Sequence, residues 1–197
     1  MRKLLVIALV VMGGSTMAFG QSASYLWNFA GGGDTAVLAN PGDTAVIEVY
    51  IEIDVPLAGW HYDLNAEYNP AGTPNFEMTD LAWMPQADRY DGLVVPDIND
   101  YRSFADILEQ DPGVYWLDPG LYLIEELEIT ATALGADGVI TFDDSNPPMT
   151  YNVLYKDPGD GIMFVPDVTT PGPLTVLPEP ATLAFLALGG LALLRRR

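Results

Sequence analysis

Polar and apolar residues alternate between Thr44 and Asp54, and this alternation constrains the fold more than any other feature of the chain. Branched apolar residues occupy positions 47, 49, 51 and 53, and mostly polar residues occupy the positions between them. Because successive side chains of a β-strand point to opposite faces, this period of two predicts a strand with one buried face. The run Pro41-Gly42-Asp43 predicts the turn that precedes the strand.

Further segments with the same period predict that the central region consists mainly of strands. Gly59–Tyr68 alternates in the same way, with its aromatic and aliphatic residues on one side. In the segment Leu121–Ala133, Glu125 interrupts an apolar row, which indicates a β-bulge. The residues expected on one face of that strand are Leu121, Leu123, Leu127, Ile129 and Ala131. Shorter candidate strands are Tyr25–Ala30, Val139–Phe142, Thr150–Tyr155 and Ile162–Val165.

One segment has the spacing of a helix instead of a strand. Its apolar residues follow an i, i+3, i+4, i+7 pattern, which predicts an amphipathic helix. These residues are Tyr101, Phe104, Ala105 and Leu108. Asn99 or Asp100 can cap the start of this helix, and the turn at residues 111–113 can end it. The predicted fold class is therefore all-β, an antiparallel β-sandwich with one inserted short helix.

The charge of the central region excludes one class of function. Residues 21–177 include 26 carboxylates and three basic residues, Arg89, Arg102 and Lys156, which give a formal charge of −23. Such a region repels the phosphates of DNA and RNA, so we expect no nucleic-acid partner. The chain has no cysteine, which excludes disulfides, thiol catalysis and cysteine metal sites.

The C-terminus contains a proline-rich triplet, an apolar stretch and a basic end, in that order. The triplet is Pro178, Glu179 and Pro180, and the chain ends with Arg195, Arg196 and Arg197. Between them Ala181–Leu194 is uncharged, and as a helix it rises about 21 Å, less than the roughly 30 Å hydrocarbon core of a bilayer. The arginines can reach the lipid headgroups and keep the C-terminus in the cytoplasm. We therefore expect a short transmembrane helix.

This order of features resembles the PEP-CTERM sorting signal of exported bacterial proteins. The resemblance covers about a ninth of the chain, residues 178–197. It implies that an exosortase, a membrane-embedded processing enzyme, recognises the Pro-Glu-Pro triplet and cuts a transiently anchored chain at the inner membrane. It also implies a final location in the cell envelope or extracellular matrix. A plain C-terminal anchor that is never processed is the alternative.

The N-terminus predicts export as well. Arg2 and Lys3 precede the apolar run Leu4–Met12, which is of signal-peptide length and too short to span a membrane. Small residues at Ala18 and Gly20 place the expected signal-peptidase cut before Gln21. The predicted organisation is a signal peptide over residues 1–20, a β-sandwich over 21–170, a linker over 171–177 and the sorting signal over 178–197.

Parts of the central region resemble cohesin-like domains. Asn40–Ile51 joins a Pro-Gly-Asp turn to an alternating strand, and Leu57–Tyr68 leads from a glycine into a strand that ends on tyrosine. Leu121–Ala133 followed by Gly138–Phe142 is similar to their paired late strands. The resemblance implies a nine-stranded jelly-roll sandwich, which cohesins share with some carbohydrate-binding modules, and residues 84–120 depart from it as an insertion. It does not imply dockerin binding, because a fold does not determine a function.

Residues suited to catalysis are scarce. His61 is the only histidine, and it falls on the polar side of its strand, so we interpret it as an ordinary exposed residue. No serine lies in a Gly-x-Ser-x-Gly setting. Carboxylate pairs such as Asp143 and Asp144 arise by chance in a chain this acidic. We therefore expect a protein that is not an enzyme.

Two acidic turns are the candidate calcium sites, because calcium prefers oxygen ligands on turns. Their residues are Asp97, Asn99 and Asp100 in one turn, and Asp157 and Asp160 in the other. Neither turn has the closing glutamate of a calcium-binding loop, and turn formation or helix capping explains the same residues. We expect no cofactor, and calcium is the alternative.

Two tryptophans are the candidate ligand-binding aromatics. Trp83 and Trp116 lie in or near the inserted segment and could stack on the rings of a polysaccharide, although tryptophan more often packs in a core.

Two functions remain. The first is an exported non-catalytic surface or extracellular-matrix protein, and the second is a carbohydrate- or protein-binding module on a cohesin-like sandwich. An aromatic row on one sheet would favour the second.

Overall fold

The computed structural model describes residues 21–89, 100–142, 151–157 and 161–178. These residues form two β-sheets, and none of the described residues is helical. The strands are β1 Ser22–Phe29, β2 Thr35–Val37, β3 Thr44–Ile53, β4 Leu57–Tyr68, β5 Phe76–Trp83, β6 Ala87–Arg89, β7 Asp100–Ile107, β8 Gly120–Ala131, β9 Gly138–Phe142, β10 Tyr151–Asp157, β11 Gly161–Phe164, β12 Asp167–Thr169 and β13 Leu174–Leu177.

The first sheet has five strands in the order β12-β1-β3-β8-β5. The second sheet has the order β11-β10-β4-β9-β13-β2, and in addition β7 pairs with β4 and β6 pairs with β7. All described strand pairs are antiparallel except β1 with β12 and β2 with β13. These two parallel pairs join the first strands of the sandwich to the last. The structure thus confirms the all-β sandwich.

The core lies between the two sheets and uses the faces that the alternation predicts. The four branched residues of β3, at positions 47, 49, 51 and 53, are at most 4% exposed. In β4 the inward residues include Trp60, Tyr62 and Leu64, which are also buried. The rings of Tyr25 on β1 and Tyr62 on β4 meet edge to face across the core, with centroids 5.6 Å apart. Aromatic pairs of this kind stabilise a core beyond the area that they bury.

The helix predicted from Tyr101, Phe104, Ala105 and Leu108 is wrong. Residues 100–107 form β7, which pairs antiparallel with Gly59–Asn65 of β4. The buried side chains of this segment repeat every two residues, and each is at most 3% exposed: Tyr101, Ser103, Ala105 and Ile107. Leu108, in contrast, is 43% exposed. The apolar residues of this segment match both the helical period of 3.6 and the strand period of two in part. The edge of β4 supplies the backbone hydrogen bonds that a strand needs.

The bulge predicted at Glu125 is confirmed, and it turns two neighbouring leucines away from the predicted core face. Val49 pairs with Glu125 and Tyr50 pairs with Leu123, so Ile124 is an extra residue in β8. Leu127, Ile129 and Ala131 face the core as predicted. Leu121 and Leu123 do not, because the extra residue reverses the alternation on their side of the bulge. They are 59% and 39% exposed.

The second sheet continues beyond residue 170, into the segment that the sequence predicts as a linker. β13 pairs with β9 and with β2, and its Leu174 and Val176 are buried. The predicted signal peptide and the sorting signal after Pro178 lie outside the described residues. Among the described residues, no helix is long and apolar enough to cross a membrane.

We expect Gly138→Ala to destabilise the sandwich. A Cβ atom on Gly138 would lie 2.5 Å from the carbonyl oxygen of Glu67 and 2.9 Å from Cε1 of Phe76. Because Gly138 pairs directly with Tyr68, relief requires moving paired backbone, and we expect a loss of about 1–3 kcal/mol in the free energy of unfolding. Urea denaturation measures the loss.

Gly120→Ala is the matched control for this substitution. The atoms nearest to a Cβ atom on Gly120 would be those of the Tyr122 side chain, at 3.5 Å, which is ordinary van der Waals contact. We expect a change within about 0.5 kcal/mol. Equal losses in the two variants would contradict the packing described for β9.

Candidate binding surface on the first sheet

A row of apolar side chains crosses the outer face of the first sheet. Leu26 on β1 pairs with Tyr50 on β3, and Tyr50 pairs with Leu123 on β8. Directly paired residues of antiparallel strands lie on the same face, so these three side chains are neighbours. Leu26 is 39% exposed, and Leu121 extends the row along β8. We call Leu26, Tyr50, Leu121 and Leu123 the apolar belt.

Carboxylates border the apolar belt on both sides. Glu48 pairs directly with Glu126 in the next row of the sheet, and Glu52 pairs with Leu121. The Nδ2 amide of Asn28 and the hydroxyl of Tyr50 both donate to Glu48 Oε2, at 2.9 and 3.0 Å. Like charges directly opposite each other destabilise a sheet. A cation bound beside Glu48 and Glu126 would therefore be favourable.

No basic residue of the first sheet offsets these charges. Its five strands contain no lysine, arginine or histidine. The three basic residues of the central region lie on β6, β7 and β10, which belong to the second sheet. Partial burial, followed by the carboxylates of Glu48 and Glu126, raises the pKa of the Tyr50 hydroxyl above its ordinary value. The outer face of the first sheet is therefore negative around the apolar belt.

A cavity of about 190 Å³ adjoins the apolar belt at the edge strand β5. Trp83, Met84, Pro85 and Leu123 give it an apolar lining, and Glu126 also lines it. Trp83 is 46% exposed. Leu123 belongs to both the belt and the cavity, so the two features form one continuous surface.

Glu125 lies on the same strand as Leu121 and Leu123, but on the core side of the first sheet. Its side chain is buried, and the hydroxyls of Tyr62 and Tyr101 both donate to its carboxylate. The Tyr101 hydroxyl also contacts the carboxylate of Asp80. Burial, followed by the charge of Glu125, raises the pKa of Tyr62 well above its ordinary value.

His61 and the described serines do not form a catalytic group. His61 Nε2 lies 3.3 Å from Asp63 Oδ1, and the histidine side chain is only 12% exposed, so it is more covered than the sequence suggests. Ser103 pairs with Tyr62 and faces the core, where Trp60 Nε1 donates to its hydroxyl at 3.2 Å. His61, one residue before Tyr62, faces the opposite side of the sheet.

The two candidate aromatics lie in different parts of the sandwich, and only Trp83 is on a strand. Trp83 is on β5 of the first sheet. Trp116 is partly buried, and Lys156 Nζ of the second sheet lies 5.9 Å from the centroid of its ring. The other two tryptophans, Trp27 and Trp60, are in the core. The aromatic row that would favour sugar binding is therefore not formed by these residues.

The candidate calcium ligands are only partly within the described residues. Asp97, Asn99 and Asp160 lie outside them, Asp100 begins β7, and Asp157 ends β10. Within the described ranges, no group of three or more histidine or carboxylate side chains is arranged to hold a metal ion. Of the predicted sorting residues, only Pro178 is described.

Sequence reasoning missed the apolar belt, although the signal was present. Glu125 indicated a bulge, and a bulge reverses the side-chain alternation on one side of it. Carrying that reversal back along β8 would have placed Leu121 and Leu123 on the outer face. The pairing of Leu26 with Tyr50, by contrast, depends on the register of β1 against β3, which had no local sequence signal.

Solved structures of cohesin domains share this fold. The seventh ScaB type I cohesin from Pseudobacteroides cellulosolvens has a TM-score of 0.50 at 6% identity, over 81% of this chain and 92% of the cohesin. A chain of a type I cohesin–dockerin complex from Clostridium thermocellum has a TM-score of 0.50 at 10% identity, over 79% of this chain and 99% of the other. No protein-family model and no curated protein sequence matches the chain. The fold is a cohesin-like β-sandwich.

We expect Glu125→Ala to lower the free energy of unfolding by about 1–3 kcal/mol. The substitution removes the carboxylate acceptor of the buried Tyr62 hydroxyl, whereas the Tyr101 hydroxyl keeps Asp80, and a buried group that loses its partner costs about 1–3 kcal/mol. Urea denaturation at neutral pH measures the change. Glu126→Ala removes the same group from the adjacent residue on the outer face, and we expect a change within about 0.5 kcal/mol. Equal losses in the two variants would show that Glu125 has no special structural role.

Proposed function

We propose that this chain is an exported, non-catalytic protein-binding module. The apolar belt carries the proposal. Leu26, Leu121 and Leu123 are each at least 39% exposed on a sheet face that otherwise presents mainly polar residues. A contiguous exposed apolar row of this kind, bordered by polar residues, is typical of a surface that another macromolecule covers.

The fold supports a protein as the partner. One of the similar structures is a type I cohesin–dockerin complex, in which a sandwich of this kind is assembled with a second protein. Because a fold alone does not determine a function, the belt, and not the likeness, is the reason to assign binding to this chain.

A carbohydrate partner has less support from the side chains. Sugar binding through stacking requires neighbouring exposed aromatic rings. Trp83 is on β5 of the first sheet, Trp116 lies in the connection between β7 and β8 near Lys156 of the second sheet, and the remaining tryptophans are buried. Polysaccharide binding is therefore the second candidate, and the test below separates it from protein binding.

The two ends of the chain determine where the module acts in this proposal. A signal peptide over residues 1–20 exports the sandwich, and the tail after Leu177 holds it at the inner membrane until an exosortase cuts beside Glu179. The released module then remains in the cell envelope or extracellular matrix. The support for this part is the order of triplet, apolar stretch and arginines in the sequence.

Photo-cross-linking in the producing cell tests the binding function. A benzophenone amino acid is placed, one position at a time, at Leu121, Val37, Leu134 and Ile162, which are exposed on different parts of the sandwich. We expect at least one position to give an adduct of discrete mass that protease removes. A heterogeneous adduct that only polysaccharide-degrading enzymes remove would favour the carbohydrate alternative. The absence of adducts at all four positions would overturn the binding function.

We expect Glu179→Ala to leave export intact and to abolish processing, because the acidic residue of the triplet is the feature that the processing enzyme is expected to recognise. Intact mass and membrane fractionation then show a full-length, membrane-bound form. Glu67→Ala, which removes an exposed carboxylate from the sandwich, should mature normally. Normal maturation of the Glu179 variant would contradict the sorting mechanism.

A further inference from the structure

We propose that the apolar belt and the glutamates beside it dock a basic protein segment. Apolar side chains of this segment cover Leu26, Tyr50 and Leu123, and its arginine side chains reach Glu48 and Glu126. The inference rests on the proposed function and adds to it the surface that binds and the chemistry of the partner.

The spacing of the two rows allows one segment to contact both. Tyr50 and Glu48 are two residues apart on β3 and lie on the same face, so their positions are about 7 Å apart. The belt row of Leu26, Tyr50 and Leu123 and the polar row of Asn28, Glu48 and Glu126 therefore run side by side across β1, β3 and β8. A segment that crosses these strands can place apolar residues on one row and cations on the other.

The charges of the face determine the sign of the partner's charge. Glu48 and Glu126 oppose each other directly, and no lysine, arginine or histidine occurs on any strand of this sheet. The cation that would relieve their repulsion must therefore come from outside the sheet. Burial, followed by the carboxylates of Glu48 and Glu126, raises the pKa of the Tyr50 hydroxyl in the belt. Arginine suits the pair better than lysine, because its planar guanidinium can donate to two carboxylates at once.

The cavity at the β5 edge gives the segment a point of anchorage. Trp83, Pro85 and Leu123 offer apolar contact to the aliphatic stem of an arginine, and Glu126 lines the same cavity. Arginine side chains bury their stems along apolar surface while the charged end remains paired. The end of the belt at β5 is therefore where we place an arginine of the partner.

A second copy of this chain is a poor occupant for the surface. Two copies that met through this face would bring the glutamates of one against the glutamates of the other. Juxtaposed like charges cost several kcal/mol and suppress wrong partners. The charge of the face thus selects a basic partner over self-association.

Three synthetic peptides test the chemistry. The first has leucines flanked by arginines, the second has the same leucines flanked by glutamates, and the third has the same arginines with serines in place of the leucines. Fluorescence anisotropy with the purified full-length protein, at physiological ionic strength, measures the three dissociation constants. We expect the arginine–leucine peptide to bind at least tenfold more tightly than either of the others.

Matched variants test the location. Glu126→Gln and Leu123→Ser should each weaken binding of the arginine–leucine peptide at least fivefold. Glu67→Gln makes the same change as Glu126→Gln, and Val37→Ser likewise replaces an exposed apolar side chain with serine. Both positions are on the second sheet, and both variants should change the affinity less than twofold. Circular dichroism and thermal melting confirm that all four variants remain folded.

Each contrary result overturns the inference in a recognisable way. Equal losses for Glu126→Gln and Glu67→Gln would mean that the peptide binds the acidic surface at large. If the arginine–serine peptide bound as tightly as the arginine–leucine peptide, the apolar belt would not be part of the interface. Cross-links in the cell from Val37, Leu134 or Ile162 but not from Leu121 would leave the binding function standing and exclude this surface. The absence of cross-links at every position would contradict both the binding function and the proposed docking surface.

Discussion

One extra residue in β8 determines how the first sheet divides its side chains between core and surface. On one side of Ile124 the strand buries Leu127, Ile129 and Ala131, and on the other side it exposes Leu121 and Leu123. Because the side-chain period of a strand is two, a single insertion reverses every position beyond it. The same residues in an unbroken strand would have buried both leucines, and the outer face would have no apolar belt.

A carboxylate lies on the core face directly beside the bulge, and the second sheet accommodates it. Glu125 is buried beside the hydroxyls of Tyr62 on β4 and Tyr101 on β7, and both donate to it. A buried charge without such donors would cost several kcal/mol. These hydrogen bonds connect the two sheets at the strand that carries the belt. The strand that carries Leu121 and Leu123 is therefore joined to the second sheet by a polar contact inside the sandwich.

The distribution of charge gives the two sheets different surfaces. The basic residues of the central region lie on the second sheet, whereas the first sheet carries carboxylates around an apolar row. An acidic sheet face with one apolar row is complementary to a partner that is basic and apolar. The cohesin-like sandwich holds this row on paired strands instead of loops, which keeps its side chains in fixed register.

Local patterns in the sequence determined the fold class and the principal strands. The alternation of β3 and β4 and the Pro-Gly-Asp turn involve only near neighbours along the chain, so the sequence alone predicts them. The apolar residues of the strand at residues 100–107 match both the helical and the strand period, so the sequence alone predicts a helix there. Pairing with the edge of β4 makes the segment a strand. The belt likewise required tertiary structure. Leu26, Tyr50 and Leu123 become neighbours through the register of three strands that are far apart in sequence, and long-range pairing sets that register.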